Sequence, residues 1–82
     1  MAKHVEAEFR APGVVRFFKT VSNCGGILLA MRGDQVAYCD CFNGREEYCS
    51  RWQDLKVDNK DRMFFYWHSR KMYTEDFMRV NL

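Results

Sequence analysis

Two apolar segments in the middle of this sequence are separated by only two residues. Residues 27–32 and 35–42 flank Gly33-Asp34, and glycine in the first position of a two-residue loop is typical of a type II′ β-hairpin. Such a turn fixes which residues face each other across the two strands. The predicted pairs are Arg32 with Gln35, Met31 with Val36, Ala30 with Ala37, Leu29 with Tyr38, Leu28 with Cys39 and Gly26 with Cys41.

Both faces of this hairpin are apolar. Leu28 and Ala30 point to one side of the first strand, and Leu29 and Met31 point to the other. An antiparallel strand with one face in water alternates apolar and polar residues, so two apolar faces indicate cover on both sides. We therefore predict that the hairpin is central in a sheet, or that a partner covers one of its faces.

The N-terminal part predicts a second hairpin. Residues 4–10 alternate, with Val5, Ala7 and Phe9 on one side and polar residues on the other, which is typical of a half-buried strand. Pro12-Gly13 predicts a turn. Residues 14–21 are rich in β-branched and aromatic side chains and predict the second strand.

The dipeptide Asn43-Gly44 allows two interpretations. It is a strong type I′ turn signal, but Asn43 followed by Glu46 also fits a capping box that opens a helix. After it, apolar residues at helical spacing alternate with charged ones. We favour a short amphipathic helix over residues 45–55. Its apolar positions are Tyr48, Cys49, Trp52 and Leu55.

The C-terminal third predicts short elements. Residues 58–61 form a polar turn, and residues 63–67 are an aromatic run short enough for a buried strand. Residues 72–82 fit either a strand or a short helix capped by Thr74. The 82 residues suffice for a single domain, 1–82. The expected fold class is therefore α+β: a small antiparallel sheet of four or five strands with one short amphipathic helix packed on it.

Composition and charge exclude several classes of protein. Thirteen Lys and Arg against eleven Asp and Glu give a formal charge of +2, and 48% of the residues are hydrophobic, which excludes a disordered chain. The N-terminus lacks the apolar run of a secretory signal. The longest uncharged stretch, residues 20–31, is too short to span a bilayer. We expect a cytoplasmic protein that does not enter a membrane.

Four cysteines admit a metal hypothesis. Cys24, Cys39, Cys41 and Cys49 lack the paired C-x2-C spacing of structural zinc sites. The predicted hairpin nevertheless places Cys24, Cys39 and Cys41 on one face, where Cys49 or His68 could complete a ligand set. Because free cysteine is commonly buried as a small apolar residue, we favour reduced thiols in the core and expect no metal.

No pattern predicts catalysis. A nucleophilic pair such as Cys49 with His68 would need an activating environment that nothing nearby supplies. The segment Cys24-Gly25-Gly26 lacks the spacing of phosphate-binding loops. The short chain also leaves little room for an enclosed active site. We expect a non-enzymatic protein without a cofactor.

The aromatic content predicts a binding function instead. Aromatic residues make up 16% of the chain, more than one thin core needs, and interface cores favour aromatic side chains, Met and Arg. We therefore predict a protein-binding module, either an inhibitor or an adaptor that occludes a surface of a partner protein, with a homodimer as a variant. The predicted contact residues are Tyr48, Trp52, Tyr66, Trp67, Arg70 and Tyr73.

An alternative is binding of single-stranded nucleic acid. Two segments, residues 14–19 and 63–71, interleave aromatic and basic residues, a pattern that lets bases stack on rings while cations meet phosphates. The small net charge argues against it, because dedicated nucleic-acid binders usually have a clearly basic face. The residues predicted for this alternative are Arg16, Phe18, Lys19, Tyr66, His68, Arg70 and Lys71.

Overall fold

The structure is a computed structural model that describes Phe9 and residues 11–81. Within these residues the chain forms nine strands and one 3-10 turn, Thr74–Asp76. The strands are β1 Val15–Thr20, β2 Gly25–Arg32, β3 Gln35–Phe42, β4 Arg45–Cys49, β5 Gln53–Asp54, β6 Lys56–Val57, β7 Met63–Trp67, β8 Arg70–Tyr73 and β9 Met78–Val80.

The strands form two antiparallel sheets. The large sheet has the order β4-β3-β2-β1-β9. The short strand β5 pairs with the same edge of β3 as β4 does. The small sheet has the order β6-β7-β8. The central hairpin is confirmed, because all six predicted residue pairs of β2 and β3 are present. Gly33 has φ +59°, a left-handed conformation that glycine adopts without steric cost.

The large sheet has an apolar core on each of its faces. On one face, Leu28 and Ala30 pack with Cys39, Cys49 and Phe9. On the other face, residues of β2 and β3 pack against Phe65 of the small sheet and Phe77 of the C-terminal segment. The residues of β2 and β3 in this core are Ile27, Leu29, Val36 and Tyr38. β2 therefore reads as a continuous apolar run because both of its faces are covered.

The predicted helix over residues 45–55 is wrong, and with it the α+β class. The segment forms β4 and β5, and the described chain is built from two antiparallel sheets. Asn43 and Gly44 have φ +52° and +78°, so the type I′ turn is the correct alternative. Trp52 and Leu55 pack against cores on opposite faces of the large sheet. A helix would have put them on one face.

The other strands and the turn predicted from the sequence are found only in part. The predicted second strand is present as β1, but its partners are β2 and β9. The predicted strand over residues 4–10 lies outside the described residues except for Phe9, which is buried. The polar turn over residues 58–61 is present, and the strand over residues 63–67 is confirmed as β7. Only Phe64 and Phe65 of β7 are buried.

The C-terminal segment contains both of the predicted types of element in short form. The 3-10 turn Thr74–Asp76 is followed by β9, which pairs with β1 and so lies at an edge of the large sheet. No helix in the described part of the chain is long and apolar enough to cross a membrane.

Candidate functional site

The two sheets are joined by a carboxylate at one end of the molecule. Asp40 lies on β3, where its side chain projects from the face that the small sheet covers. The indole Nε1 of Trp67 donates a hydrogen bond of 2.6 Å to Asp40 Oδ1. The imidazole Nε2 of His68 lies 2.6 Å from Asp40 Oδ2. Hydrogen bonds to an ionised carboxylate are about twice as strong as neutral ones, so Asp40 holds the end of β7 against β3.

The turn that carries His68 has an uncommon backbone. His68 and Ser69, which connect β7 to β8, have φ +48° and +67°, although two-residue turns of this kind normally contain Asn and Gly. The backbone N–H of His68 donates a hydrogen bond of 3.3 Å to the hydroxyl of Tyr38. Burial raises the pKa of Tyr38 above its usual value, so this hydroxyl stays neutral at physiological pH. Tertiary contacts therefore support this turn.

Aromatic rings surround His68 and extend to the surface. The ring centroids of Tyr38, Tyr48 and Trp67 lie 5.4, 5.5 and 5.2 Å from the imidazole. Phe42 lies two residues beyond Asp40 and so on the same face of β3. Phe42 is 49% exposed and Tyr48 is 47% exposed. We refer to the exposed residues Phe42, Tyr48 and His68 as the terminal patch.

The terminal patch combines exposed rings with an imidazole that a carboxylate contacts. Within it, the Tyr48 and His68 rings pack on each other, and the His68 imidazole also contacts Asp40. The Asp40–His68 pair resembles the orienting half of a nucleophilic triad. A triad also needs a nucleophile such as serine or cysteine beside the imidazole, whereas the rings that pack on His68 are those of Tyr38, Tyr48 and Trp67. Among the described residues, no group of three or more His, Cys, Asp or Glu is arranged to hold a metal ion.

The six residues predicted to contact a partner protein separate into groups. Tyr48 and Trp67 meet around Asp40 and His68. Tyr66 and Tyr73 lie on the face of the small sheet that is turned away from the large sheet. Arg70 is exposed and pairs with Trp67 at the end of β8. Trp52 packs against the opposite core of the large sheet, beneath the Arg32 guanidinium at 4.0 Å. The predicted residues therefore do not form one surface.

Sequence reasoning missed Asp40 and Phe42. Both were predicted only as members of a β3 strand, and their role at the terminal patch depends on where the small sheet ends. Side chains alternate along a strand, which puts Tyr38, Asp40 and Phe42 on one face, and this was the available signal. It could not show that Tyr38 is covered while Phe42 is exposed.

A second surface is the outer face of the small sheet. The pairs Phe64 with Tyr73 and Tyr66 with Lys71 lie side by side on this face, and Lys56 pairs with Phe64 from β6. The ring centroid of Phe64 lies 5.8 Å from that of Tyr66 and 6.0 Å from that of Tyr73. The Lys71 ammonium lies 4.5 Å from the Phe64 centroid, within range for a cation–π interaction. We refer to Lys56, Phe64, Tyr66, Lys71 and Tyr73 as the outer face.

Only two of the seven residues predicted to bind nucleic acid lie on the outer face. These are Tyr66 and Lys71. Arg70 shares the opposite face with Trp67, and His68 lies in the turn between β7 and β8. Arg16, Phe18 and Lys19 belong to β1 of the large sheet. The seven residues as a set therefore do not form a single binding surface.

Beside the outer face, Asp58 organises the turn between β6 and β7. Its carboxylate accepts hydrogen bonds from the backbone N–H groups of Arg62 and Lys60, from Arg62 Nε and from the Tyr73 hydroxyl, at 2.8 to 3.1 Å. These bonds, the one from the Arg62 backbone most of all, lower the pKa of Asp58 to about 2. The Arg62 guanidinium also lies 4.2 Å from the centroid of Tyr73.

The cysteines do not form the hypothesised zinc site. Cys39 and Cys49 are opposite each other in β3 and β4 and form a disulfide, with 4.0 Å between their Cα atoms. The expectation of four reduced thiols is therefore wrong for this pair. Cys24 and Cys41 are free and line a groove of about 760 Å³ with Glu46. Burial, and secondly Glu46, raise the pKa of the Cys41 thiol, so little reactive thiolate forms there.

No protein-family model, no curated protein and no solved structure matches this chain. The terminal patch and the outer face are therefore the basis on which a function can be proposed.

Proposed function

We propose that this protein is a non-enzymatic binding module, an inhibitor or adaptor, whose terminal patch occludes a surface of a partner protein. The observation that supports this most is the exposure of Phe42 and Tyr48, each nearly half accessible to water at one end of the large sheet. Aromatic side chains that become buried on association dominate the energy of many interfaces. No cofactor is part of this proposal.

The His68 part of the terminal patch is held in place before binding. Asp40 fixes both Trp67 and His68, and Tyr38 fixes the backbone of His68. A surface whose side chains are already ordered loses less conformational entropy on association. The patch therefore combines the exposed apolar area of Phe42 and Tyr48 with an imidazole that is already ordered, which lowers the ordering cost of association.

The partner we propose is a protein with an apolar recess that receives the Phe42 and Tyr48 rings. Charged residues on the adjoining strand β4, among them Arg45 and Glu47, are exposed and would form the polar rim that surrounds such centres. A second copy of this chain is the variant of this proposal in which the patch is self-complementary.

The test is a quantitative binding measurement with a purified partner. A protein that co-purifies with the chain from its native host is isolated, and its Kd is measured for the unaltered chain and for F42S/Y48S. We expect the double substitution to weaken binding at least about 100-fold, as for two interface-centre residues. The matched control is V57S/M63S, which alters two exposed apolar residues paired on the small sheet.

The result that contradicts the proposal is equal weakening by both double substitutions, or by neither. Light scattering of the unaltered chain separates the homodimer from a foreign partner, because the homodimer requires a doubled mass that F42S/Y48S restores to that of a monomer. Circular dichroism of each variant confirms that the fold is retained.

The cytoplasmic location remains a prediction. A disulfide such as that between Cys39 and Cys49 is typical of oxidising compartments. Alkylation of the protein in intact cells, followed by mass spectrometry, tests the location, since a cytoplasmic protein is expected to have this pair mostly reduced.

A further inference from the structure

Basic charge is concentrated in the small sheet. Residues 56–73 contain five of the thirteen Lys and Arg residues but only two of the eleven Asp and Glu residues. The basic residues are Lys56, Lys60, Arg62, Arg70 and Lys71. The rest of the chain therefore carries slightly more acidic than basic residues, and the small net charge conceals a local excess of positive charge.

On the outer face, cations and rings alternate in two dimensions. Lys56, Phe64 and Tyr73 form one row across the three strands, and Tyr66 and Lys71 form the next. Lys56 and Lys71 are exposed, and Tyr66 is 42% exposed. Adjacent rows on one face of a sheet are about 7 Å apart, comparable with the separation of successive nucleotides in an extended single strand.

The backbone beneath Tyr66 is also fixed. The Gln53 side chain donates from Nε2 to the Tyr66 carbonyl at 3.3 Å and accepts from the Tyr66 N–H at 3.4 Å. Gln53 thus occupies the part of the β7 edge that β6 does not reach. The Tyr66 ring packs edge-on against Phe64, with an interplanar angle of 89°, which holds it in a defined orientation on the outer face.

We infer that the outer face binds single-stranded nucleic acid, with a base stacked on Tyr66 and phosphates contacting Lys71 and Lys56. Ring faces accept any base, and the two ammonium groups complement the phosphate charge. Arg62 is already paired with Asp58, so it supports Tyr73 rather than a phosphate. This site is separate from the terminal patch and does not depend on the proposed protein partner.

The test uses the full chain and a fluorescein-labelled dT12 oligonucleotide, with fluorescence anisotropy as a function of salt. Two phosphate contacts predict a slope of about −1.4 for log K against log [salt]. Lys71→Gln is expected to reduce the magnitude of this slope by about 0.7. Arg45→Gln, the same loss of charge on the large sheet, is expected to leave both slope and affinity unchanged.

Stacking is tested separately at Tyr66. Tyr66→Leu keeps an apolar side chain but removes the ring, and we expect it to weaken dT12 binding about tenfold. Tyr66→Phe is expected to retain binding. Since Tyr66 is exposed, these variants are expected to fold, and circular dichroism verifies this.

Four results would overturn the inference. The first is that the chain does not bind dT12 at low salt, and the second is that it binds duplex DNA with the same affinity as dT12. The third is that heparin displaces dT12 completely and that Tyr66→Leu does not change the affinity for heparin. The fourth is that Lys71→Gln binds dT12 with the same affinity and salt dependence as the unaltered chain. Heparin or duplex binding would indicate a general affinity for polyanions. F42S/Y48S is expected to bind dT12 normally, so failure of this inference is distinguishable from failure of the proposed protein-binding function.

Discussion

Two hairpins of this protein, β3–β4 and β7–β8, have the same two-residue turn length but are stabilised differently. The first turns through Asn43-Gly44, whose residues favour left-handed backbone, and is closed by the Cys39–Cys49 disulfide. The second turns through His68-Ser69 in a similar left-handed conformation, and Asp40 and Tyr38 hold it from the other sheet.

Local chemistry therefore suffices for one turn and not for the other. A non-glycine residue in the left-handed region costs about 1 kcal/mol or more, and such residues persist where the surroundings over-determine them. The β7–β8 hairpin, which departs from turn preferences, supplies His68 to the terminal patch, whereas β3–β4 supplies Phe42 and Tyr48. Residues with unfavourable local geometry are often retained because of function.

Reduction of the disulfide is expected to have the largest effect on this pair of hairpins. Cys39 and Cys49 are separated by 10 residues, and closing a loop of this length contributes about 2.5–3 kcal/mol through the unfolded state. Urea denaturation with and without dithiothreitol measures the loss. C24A/C41A should retain the full sensitivity to the reductant and C39A/C49A should lose it. An unaltered chain insensitive to reductant would show that the disulfide does not support β3–β4.

Removal of the Asp40 carboxylate is expected to have the next largest effect. Asp40→Ala removes the acceptor for both Trp67 and His68, and we expect a loss of about 2 kcal/mol because hydrogen bonds to charged groups contribute more than neutral ones. Asp40→Asn should cost less, since its oxygen still accepts from Trp67. Hydrogen exchange should show faster opening of β7–β8 but not of β3–β4. Uniform acceleration of both hairpins would remove the distinction between them.

Removing a glycine from one turn and adding a glycine to the other should change the free energy of unfolding by smaller amounts and in opposite directions. Gly44→Ala places a side chain at φ +78° and should lower the free energy of unfolding by about 1 kcal/mol. Ser69→Gly relieves the same strain at φ +67° and should raise it by about 0.5–1 kcal/mol. Chemical denaturation of both variants measures these changes. The same sign at both positions would mean that the turns do not differ as described.

The smallest change in the free energy of unfolding is expected at the turn between β6 and β7, which is stabilised by the side chain of Asp58 within the turn itself. The pKa of Asp58 is about 2 in the folded chain and about 3.9 when unfolded. Its stabilisation should be complete above about pH 4 and be lost as the pH falls through 2. Urea midpoints between pH 5 and pH 2 should fall more steeply for the unaltered chain than for Asp58→Asn. Asp34→Asn should behave like the unaltered chain.

The sequence by itself determined the central hairpin. Gly33-Asp34 fixed the turn, and apolar residues on both faces of β2 required cover on both sides, so the register of β2 with β3 followed from local information. The polar turn at residues 58–61 and the strand at β7 followed for the same reason. The aromatic residues of β7 favour extended backbone, and the polar residues 58–61 favour a turn.

Only the tertiary structure decided the conformation of residues 45–55 and the location of both proposed binding surfaces. The spacing of Trp52 and Leu55 fits one face of a helix, yet the two side chains enter cores on opposite sides of the large sheet. Two of the rings predicted to contact a partner, Trp52 and Trp67, are also partly buried against these cores. Hydrophobic burial depends on which surfaces meet across long sequence separations, and periodicity within a short segment contains no information about those surfaces.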